Sequence, residues 1–482
     1  MVGPQAVYPT GQMSWAIARL SPHALIFLVG ALCLLLLFCR GAHAAADADA
    51  DADADVEPSS FPLELSGSLD LVYDGIKNVA LGQRSGDDLL NLKQEFQLQL
   101  FYSASERLSA FGEIKWRADQ QIFPDEIPQW SEEVRLGESW LHWQPLSDSA
   151  VSIKIGRQYF VEPRQWWWYD VLDALRFDYT RDPWHLTIGV AEKLVRTSSR
   201  ENFINPQDED VLRLLGHADW KSSSALQLSA FYLGQRDHST RPPLDSLMEI
   251  ARVDESDADL HWIGLRVSGD IDLTPGGTLK YWVDAAAVTG DETLFEFTND
   301  VDGISRVAAA WQQRVRGDAV DLGLVWESDT ARRPRLAVSH ARGSGDNNLD
   351  DDTDRAFRQT GLQYPFQEFR YYGELLRPEL SNLSITTVTM GFAVTTGSYL
   401  TLGYHRFRQV YPTDFLRYAR IELFPTGQDN DIGSELSLLI EIREWENLAV
   451  VLAAATFQAG DAFGAAAGVR ADSLFLKLTL WF

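Results

Sequence analysis

The connections between the apolar segments of this chain alternate strictly between short and long. Eighteen segments with β-strand alternation run from Leu63–Val72 to Leu474–Phe482, joined by eight short turns and nine long loops. Membrane barrels combine even strand counts with short turns at one rim and longer loops at the other. A soluble sandwich has no reason to segregate its loop lengths in this way. The pattern predicts an all-β fold, a transmembrane antiparallel β-barrel of about 18 strands with short periplasmic turns and long extracellular loops.

The last ten residues, Ser473–Phe482, show the alternation most clearly. One face is apolar and the other is mixed: Leu474, Leu476, Leu478, Leu480 and Phe482 against Phe475, Lys477, Thr479 and Trp481. In a closing barrel strand the first face meets lipid and the second meets the lumen. For this stretch alone, the edge strand of a soluble sandwich is the alternative. The loop pattern of the whole chain favours the barrel.

Charged residues fall on one face of the predicted strands. Leu175 and Phe177, for example, alternate with Arg176 and Asp178. An arginine on the lipid face costs about 2–4 kcal/mol at mid-bilayer, so the charged face must point to water and the lumen must be polar. Aromatic residues near strand ends suit the two interfaces of a membrane. These are Trp143, Tyr179, Trp184 and Trp326.

The N-terminus has the layout of a secretory signal. Arg19 precedes a fifteen-residue apolar run, Ala24–Phe38, and Ala42-His43-Ala44 offers a cleavage site. That run is short for a membrane-spanning helix, which needs about 20 residues. We therefore predict a signal peptide at residues 1–44, an acidic low-complexity leader at 45–61 and the barrel at 62–482.

Net charge limits the partners of the mature chain. The full chain carries a formal charge of −27, and removal of residues 1–44 takes away two arginines, leaving 40 basic against 69 acidic residues, or −29. This acidity argues against binding nucleic acid. Both cysteines, Cys33 and Cys39, lie inside the predicted signal, so the mature chain would hold no disulfide or thiolate ligand.

No motif points to catalysis. The seven histidines of the mature chain show no H-E-x-x-H spacing, and no serine sits in G-x-S-x-G. The acidic run Asp350–Asp352 with Asp354 is typical of a solvated loop, and calcium binding by this loop is the alternative. We therefore predict no enzymatic activity, no cofactor and no metal centre. An outer-membrane hydrolase or adhesin built on the same barrel stays open as an alternative of another class.

Basic residues at lumen positions suggest a substrate pathway. If they converge, they would attract carboxylates, because arginine presents a fork of donors that matches carboxylate geometry. The alternative is that each pairs with a neighbouring acid, as Arg176 would with Asp178. Arg157 shares strand parity with Ile153 and Ile155, so it must lie beyond the bilayer zone, or a bulge must reset the strand. The other candidates are Lys93, Lys115, Arg117, Lys154, Arg266, Lys280, Arg370 and Arg377.

A set of short sequences, in order from about Asp88 to the end, resembles the alginate-export outer-membrane porins. Taken together the set is specific, although each match alone is weak. The matching stretches are Gly156-Arg157-Gln158, Ala341-Arg342-Gly343-Ser344-Gly345-Asp346, Gln359-Thr360-Gly361-Leu362, Gly373-Glu374 with Arg377-Pro378-Glu379-Leu380-Ser381-Asn382-Leu383, Tyr404-His405-Arg406-Phe407, Asp431-Ile432-Gly433 with Glu435-Leu436, Gly460-Asp461-Ala462-Phe463-Gly464 and Trp481-Phe482.

The resemblance implies a monomeric barrel in the outer membrane of a Gram-negative bacterium that exports a polyuronate exopolysaccharide through an arginine-rich constriction. The pore residues of that family match Lys93, Glu138, Arg370 and Arg377 in this chain. Together with Arg157, Arg176 and Arg266 they are the substrate-pathway candidates. Expected partners are the anionic polysaccharide, outer-membrane lipid and lipopolysaccharide, the barrel-assembly machinery and a periplasmic repeat-containing lipoprotein scaffold. The free C-terminal Phe482 resembles the signal that this assembly machinery recognises.

Two departures separate this chain from that pattern. The alginate exporters have a long periplasmic loop before the seventeenth strand, whereas Arg443–Asn447 reads as a tight turn. They also carry basic residues along and just after that strand, where this chain has Ala453 and Gln458. A general or solute-specific diffusion porin for small anions therefore remains the alternative to passive export of an alginate-like polymer.

Overall fold

The barrel predicted from the loop pattern is present. The computed structural model describes residues 63–482 except 85–86, 124–126, 146–149, 302, 349–350 and 364–370, so the predicted signal and leader lie outside the described residues. Each wall strand pairs antiparallel with the next along the chain. The eighteen wall strands are β1 (Leu63–Lys77), β2 (Leu89–Ser105), β3 (Leu108–Ile122), β4 (Gln129–Trp143), β5 (Val151–Val161), β6 (Tyr169–Arg181), β7 (Trp184–Ala191), β8 (Val211–Ser223), β9 (Leu226–Asp237), β10 (Ser256–Asp272), β11 (Thr278–Val301), β12 (Ile304–Glu327), β13 (Arg335–Gly343), β14 (Leu383–Ala393), β15 (Ser398–Gln409), β16 (Asp431–Trp445), β17 (Leu448–Ala459) and β18 (Arg470–Trp481).

The connections carry little regular structure of their own. They contain the short strands Leu247–Glu249 and Thr353–Asp354 and the 3₁₀ turns Ile250–Arg252 and Asp461–Ala466. In the described part of the chain, none of the helices has the length and apolar character needed to cross a membrane.

The carboxy-terminal strand closes the barrel. β18 pairs antiparallel with β1 from Ser68↔Trp481 to Lys77↔Asp472. Phe482 continues this pairing, because its backbone N–H donates to Gly67 O at 3.1 Å and its backbone O accepts from Gly67 N at 3.0 Å. Its ring stacks on Phe96, with centroids 5.8 Å apart, and lies over the bare Cα of Gly67. The terminal aromatic residue is therefore a structural part of the seam.

Strand faces follow the predicted alternation. On β10, Ile263 and Leu265 are 62% and 63% exposed toward the outside, whereas Arg266, the next residue along the strand, is 5% exposed on the inner side. Trp143, Trp184 and Trp326 lie on the outer surface at the rim with the short turns. The apolar face is thus the lipid face, and the charged face points inward.

One predicted loop is a pair of strands. The alternation predicts a long link between Thr289 and Ala319, but β11 and β12 stay paired from Thr278↔Glu327 to Val301↔Ile304, with two register shifts beyond Glu296. Leu247–Glu249 adds a third short strand to this projecting hairpin. Polar residues on both faces hid it in the sequence, because a hairpin that extends beyond the membrane no longer needs an apolar face.

Two of the long connections that were predicted to be extracellular loops fold into the lumen. The first is the hairpin tip at 162–168, where the ring of Trp167 stacks on Phe231 of β9 at 4.8 Å and covers Gly264 of β10. The second is the described part of 355–382, in which Leu375, Leu376 and Leu380 are fully buried. They belong to an apolar core that also includes inward-facing residues of the wall from β5 to β18, so that part of the lumen is packed.

The β5–β6 hairpin separates from β4 partway along and turns away from the wall. β4 pairs with β5 only from Ser139↔Arg157 to Trp143↔Ile153, whereas β5 and β6 stay paired up to Val161↔Tyr169. The connection between β7 and β8 takes the vacated place beside β4. Its Thr197 O accepts from Leu136 N at 2.8 Å, and Ser199 N donates to Val134 O at 2.9 Å.

Insertion of protease-cleavable tags will test the orientation of the barrel. A tag after Asp346 should be cut on intact cells, because the neighbouring Asn347 and Asn348 are exposed at the rim with the long loops. A tag within Thr395–Ser398, at the short turn between β14 and β15, should be cut only after the outer membrane is permeabilised. The reverse pattern would invert the predicted orientation.

Candidate functional site

Two cavities that share part of their lining lie in the lumen beside the inner segments. Their volumes are about 830 and 430 Å³, and both are lined by Asp70, Lys93, Arg117 and Lys477. Most of the lining comes from β1 to β4 and β16 to β18, and the rest comes from the β5–β6 hairpin and from loops. We call the two cavities together the channel.

The channel lining is richer in cations than the chain as a whole. Among the described residues its basic side chains number eight and its acidic side chains six, a formal surplus of two positive charges against −27 for the chain. The basic residues are Lys93, Lys115, Arg117, Arg135, Arg157, Arg200, Arg420 and Lys477, and the acidic residues are Asp70, Asp74, Glu95, Asp119, Asp170 and Glu441.

Cations and anions alternate along the channel wall in close pairs. Lys93 lies 3.1 Å from Glu95, and Arg117 lies 2.5 Å from Asp119. Lys477 reaches Asp70 across the β1–β18 seam, again at 3.1 Å. These basic residues therefore occupy lumen positions, as predicted. They also pair with neighbouring acids, as the alternative proposed.

The positive surplus comes from cations whose acidic partners do not line the channel. Lys115 pairs with Glu113 at 2.9 Å, and Arg157 pairs with Asp173 at 3.3 Å. Glu113 and Asp173 are buried, 4% and 8% exposed, while their basic partners line the smaller cavity. The two cations therefore line the cavity, and their partner carboxylates lie behind them in the wall.

Arg157 lines the channel although its strand parity places it on the outer face. It keeps the parity of Ile155, which is 54% exposed on the outer wall. The β5–β6 hairpin departs from β4 beyond this point, and Gly156 has a φ of +117° that favours glycine. Once the hairpin has turned inward, the face that bore Ile155 faces the channel, and Arg157 and Tyr159 line it.

Lys93, Glu138 and Arg176 were predicted as pathway residues and occupy different surroundings. Lys93 lines both cavities. Glu138 instead accepts hydrogen bonds from Tyr159 N at 3.0 Å and Trp140 Nε1 at 3.2 Å, which ties the inward hairpin to β4. Arg176 pairs with Asp178 at 2.7 Å and donates to Tyr159 O at 3.2 Å. Neither Glu138 nor Arg176 lines the channel as described.

Arg266 lies on the packed side of the lumen. It donates to Glu162 of the hairpin and to Asp284 of β11, each at 2.6 Å. Arg164 lies 3.2 Å from Asp321 of β12 and also pairs with Asp284. We call these five charged residues the hairpin network, since they join the hairpin tip to the wall.

Arg377 also lies within the packed interior, and Arg370 lies outside the described residues. Arg377 is 4% exposed, has a φ of +42° and lies 3.7 Å from Glu374. Its surroundings favour a role in holding the inner segment, and its role in the pathway stays a prediction. The channel instead gains Arg135, Arg200 and Arg420, which sequence reasoning missed. Arg200 and Arg420 belong to loops, where no periodicity marks a residue as facing the lumen.

The closed barrel, its lipid face and its charged lumen define an outer-membrane channel of the porin class. A family model described as alginate export matches residues 63–477, and the chain belongs to that family.

Two curated relatives support the family assignment. The chain is 26% identical over 316 residues to the alginate production protein AlgE of Pseudomonas aeruginosa, a match that covers 63% of this chain and 62% of that protein. It is 25% identical over 301 residues to the alginate production protein AlgE of Azotobacter vinelandii, covering 57% of this chain and 58% of that protein. Each match spans less than two thirds of the relative's length.

Solved structures share the fold. OccK10 (OpdN) of Pseudomonas aeruginosa superposes with a TM-score of 0.54 at 10% identity, covering 88% of this chain and 99% of that one. OccK7 (OpdD) of the same organism also has a TM-score of 0.54, at 13% identity, covering 87% and 98%. At such identities the likeness supports the barrel fold alone.

Proposed function

We propose that this protein is an outer-membrane channel for passive export of an anionic exopolysaccharide, alginate-like in its chemistry. The observation that carries the proposal is the local positive surplus of the channel in a chain with a net charge of −27. A polyuronate bears a carboxylate on every sugar, and arginine and lysine bind carboxylates by charge-assisted hydrogen bonds. Membership of the alginate-export family and the names of the two relatives point to the same class of polymer.

The paired wall suits transport better than tight binding. A polymer must bind well enough to enter and weakly enough to leave, and this requires several weak sites in series. In the channel, Lys93, Arg117 and Lys477 each keep an acid within 3.1 Å, so none presents its full charge to a passing carboxylate. Fold and family are those of a channel, and we propose no catalytic step.

The departures from the family pattern favour a moderate anion preference. The turn between β16 and β17 holds only Glu446 and Asn447, so the predicted tight turn is present. Ala453 is 2% exposed and lies opposite Phe475, which lines the channel. The basic residue expected there from the resemblance is therefore absent from an inward-facing position. We further propose that the surroundings and partners are outer-membrane lipid, lipopolysaccharide, the barrel-assembly machinery and a periplasmic lipoprotein scaffold.

Charge reversal in the channel tests the proposal. We expect the purified wild-type pore to prefer anions and to be blocked by oligouronates. The double variant Lys93→Glu with Arg117→Glu should lose or reverse this preference and weaken the block by roughly tenfold or more, because one charge pair at 4 Å in water is worth about 1 kcal/mol. Reversal potentials in a salt gradient and concentration-dependent block in planar bilayers give both readings.

A matched control places the same charge change outside the channel. Arg181→Glu with Arg332→Glu alters two exposed residues near the short-turn rim, of which Arg181 lies opposite the outward-facing Trp184, and should leave selectivity and block unchanged, since salt screens charges beyond about 8–10 Å. A wild-type pore that prefers cations and ignores the Lys93 and Arg117 substitutions would remove the basis for a polyuronate. Anion preference without block by oligouronates would favour the porin for small anions.

A further inference from the structure

Strand pairing brings two histidines and an aspartate together on the inner wall, away from the channel. His185 of β7 lies directly opposite Asp219 of β8, and His217 is two residues before Asp219 on the same strand face. The neighbouring pair Trp184↔Trp220 faces outward near the short turn between β6 and β7. The three side chains therefore lie in the lumen, close to the rim with the short turns.

The ligand atoms of this triad have the spacing of a metal site. His217 Nε2 lies 3.2 Å from Asp219 Oδ1, and His185 Nδ1 lies 3.6 Å from Asp219 Oδ2. One ligand atom from each residue falls within 4.8 Å of the other two. Zinc binds nitrogen and oxygen at about 2.0–2.2 Å in tetrahedral geometry, which sets neighbouring ligands roughly 3.3–3.6 Å apart. His185 is the most exposed of the three side chains, at 42% against 11% for His217 and 18% for Asp219.

The surroundings hold two of the three side chains in place. Gln227 Nε2 donates to Asp219 Oδ1 at 3.0 Å, and Ser229 Oγ donates to the same oxygen. The ring of His217 stacks on Phe231 with centroids 4.5 Å apart and meets the edge of Trp168 at 6.1 Å. Such outer contacts orient ligands and are typical of metal sites. His217 Nε2 is buried, and it makes no hydrogen bond of good geometry to any described residue. Its neighbour Asp219 Oδ1 lies 3.2 Å away.

We propose that His185, His217 and Asp219 bind a divalent transition-metal ion, with Zn²⁺ as the species that this donor set fits best. Imidazole nitrogen is a preferred donor for zinc, copper and nickel, whereas calcium and magnesium select all-oxygen sites. Three protein ligands leave a fourth position for water or a solute carboxylate. This inference does not depend on the polymer that the channel carries.

The sequence did not predict this site because His185 and His217 are 32 residues apart. Only the pairing of β7 with β8 brings them close together. A second group, Glu192, Asp210 and His238, also places its ligand atoms within 4.8 Å of one another. It offers one nitrogen, and His238 is 46% exposed. We assign the zinc site to the group with two nitrogens and the more buried histidine.

Metal titration of the purified full-length barrel tests the assignment. After treatment with a chelator, isothermal titration with ZnCl₂ at pH 7.5 should show one tight site per chain, and Co²⁺ should give the visible d–d absorption of a low-coordinate complex. His185→Ala, His217→Ala and Asp219→Asn should each raise the Kd for Zn²⁺ by at least about tenfold, since even partners outside the ligand set change affinity by 10–100-fold.

Two single-histidine variants serve as controls. His238→Ala removes the only histidine of the second group, and His340→Ala removes one whose described partner is Thr386. Both should keep the wild-type Kd and the Co²⁺ spectrum. Heat-modifiability on gels verifies that every variant folds. Absence of tight zinc binding in the wild type would overturn the proposal. So would binding that survives the triad substitutions or disappears with His238→Ala.

Discussion

Trp167→Ala is expected to release the inward hairpin and to increase the mean single-channel conductance by roughly twofold or more, since the flux through a barrel follows its open cross-section. Trp167 is 1% exposed, stacks on Phe231 at 4.8 Å and covers Gly264. Loss of a buried tryptophan costs about 3–5 kcal/mol. The backbone ladder of the wall does not include this residue, so the cost falls on the docking of the hairpin.

Conductance in planar bilayers and trypsin cleavage after Arg164 measure that release. Cleavage should appear in the variant because Arg164 would leave its partners Asp284 and Asp321. Trp184→Ala is the matched control, because Trp184 is 52% exposed on the outer wall and touches no inner segment in the described structure. If Trp167→Ala kept the wild-type conductance and resisted trypsin, the hairpin would not be what narrows the lumen.

The wall of the barrel was predictable because membrane strands obey a strong local rule. Each must present an apolar residue to lipid at every second position, so residues such as Ile263 and Leu265 identify the outer face directly. The turns were equally clear, since eight short connections alternate with the long ones. The β11–β12 hairpin was missed where this rule lapses. Beyond the membrane, both of its faces meet water or other loops.

The filling of the lumen was not predictable from local pattern. The residues that form it, such as Trp166, Trp167 and Tyr372, show no strand or helix period and come together only in three dimensions. The Trp-rich link between β5 and β6 was therefore predicted to be one more loop at the rim. A barrel of this width leaves space that side chains from the wall cannot fill, and long connections supply the missing volume.

The same limit applies to the candidate site. Parity placed Lys93, Arg117 and Lys477 on the lumen face, and all three line the channel. Parity also placed Arg266 there, but it cannot show which inward-facing residues are later covered by an inner segment. Arg157 is the converse case, because its strand leaves the wall and its outward parity becomes a channel-facing position.

The hairpin network places cations and carboxylates together in the packed part of the lumen. Its two cations, Arg164 and Arg266, pair with three carboxylates, those of Glu162, Asp284 and Asp321, which leaves one negative charge in excess. Neutral donors satisfy part of the remainder, since Tyr372 Oη donates to Asp321 at 2.9 Å and Trp282 Nε1 donates to it at 2.7 Å. Buried charges of this kind are stable only as a complete set.

Arg266→Met should therefore destabilise the docked hairpin by about 3–5 kcal/mol, because it leaves buried carboxylates without their cation. The side chains of Glu162 and Asp284 are fully buried, so water cannot replace the guanidinium without opening the packing. We expect a lower transition temperature in the heat-modifiability assay and a noisier, larger conductance.

The triple variant Arg266→Met, Glu162→Gln, Asp284→Asn removes one cation and two anions, leaving Arg164 balanced by Asp321, and should recover most of the loss. Arg335→Met, at an exposed position of β13, controls for the loss of an arginine. If the single variant matched the wild type, or if the triple variant were no better than the single one, charge balance would not be what secures the hairpin across the lumen.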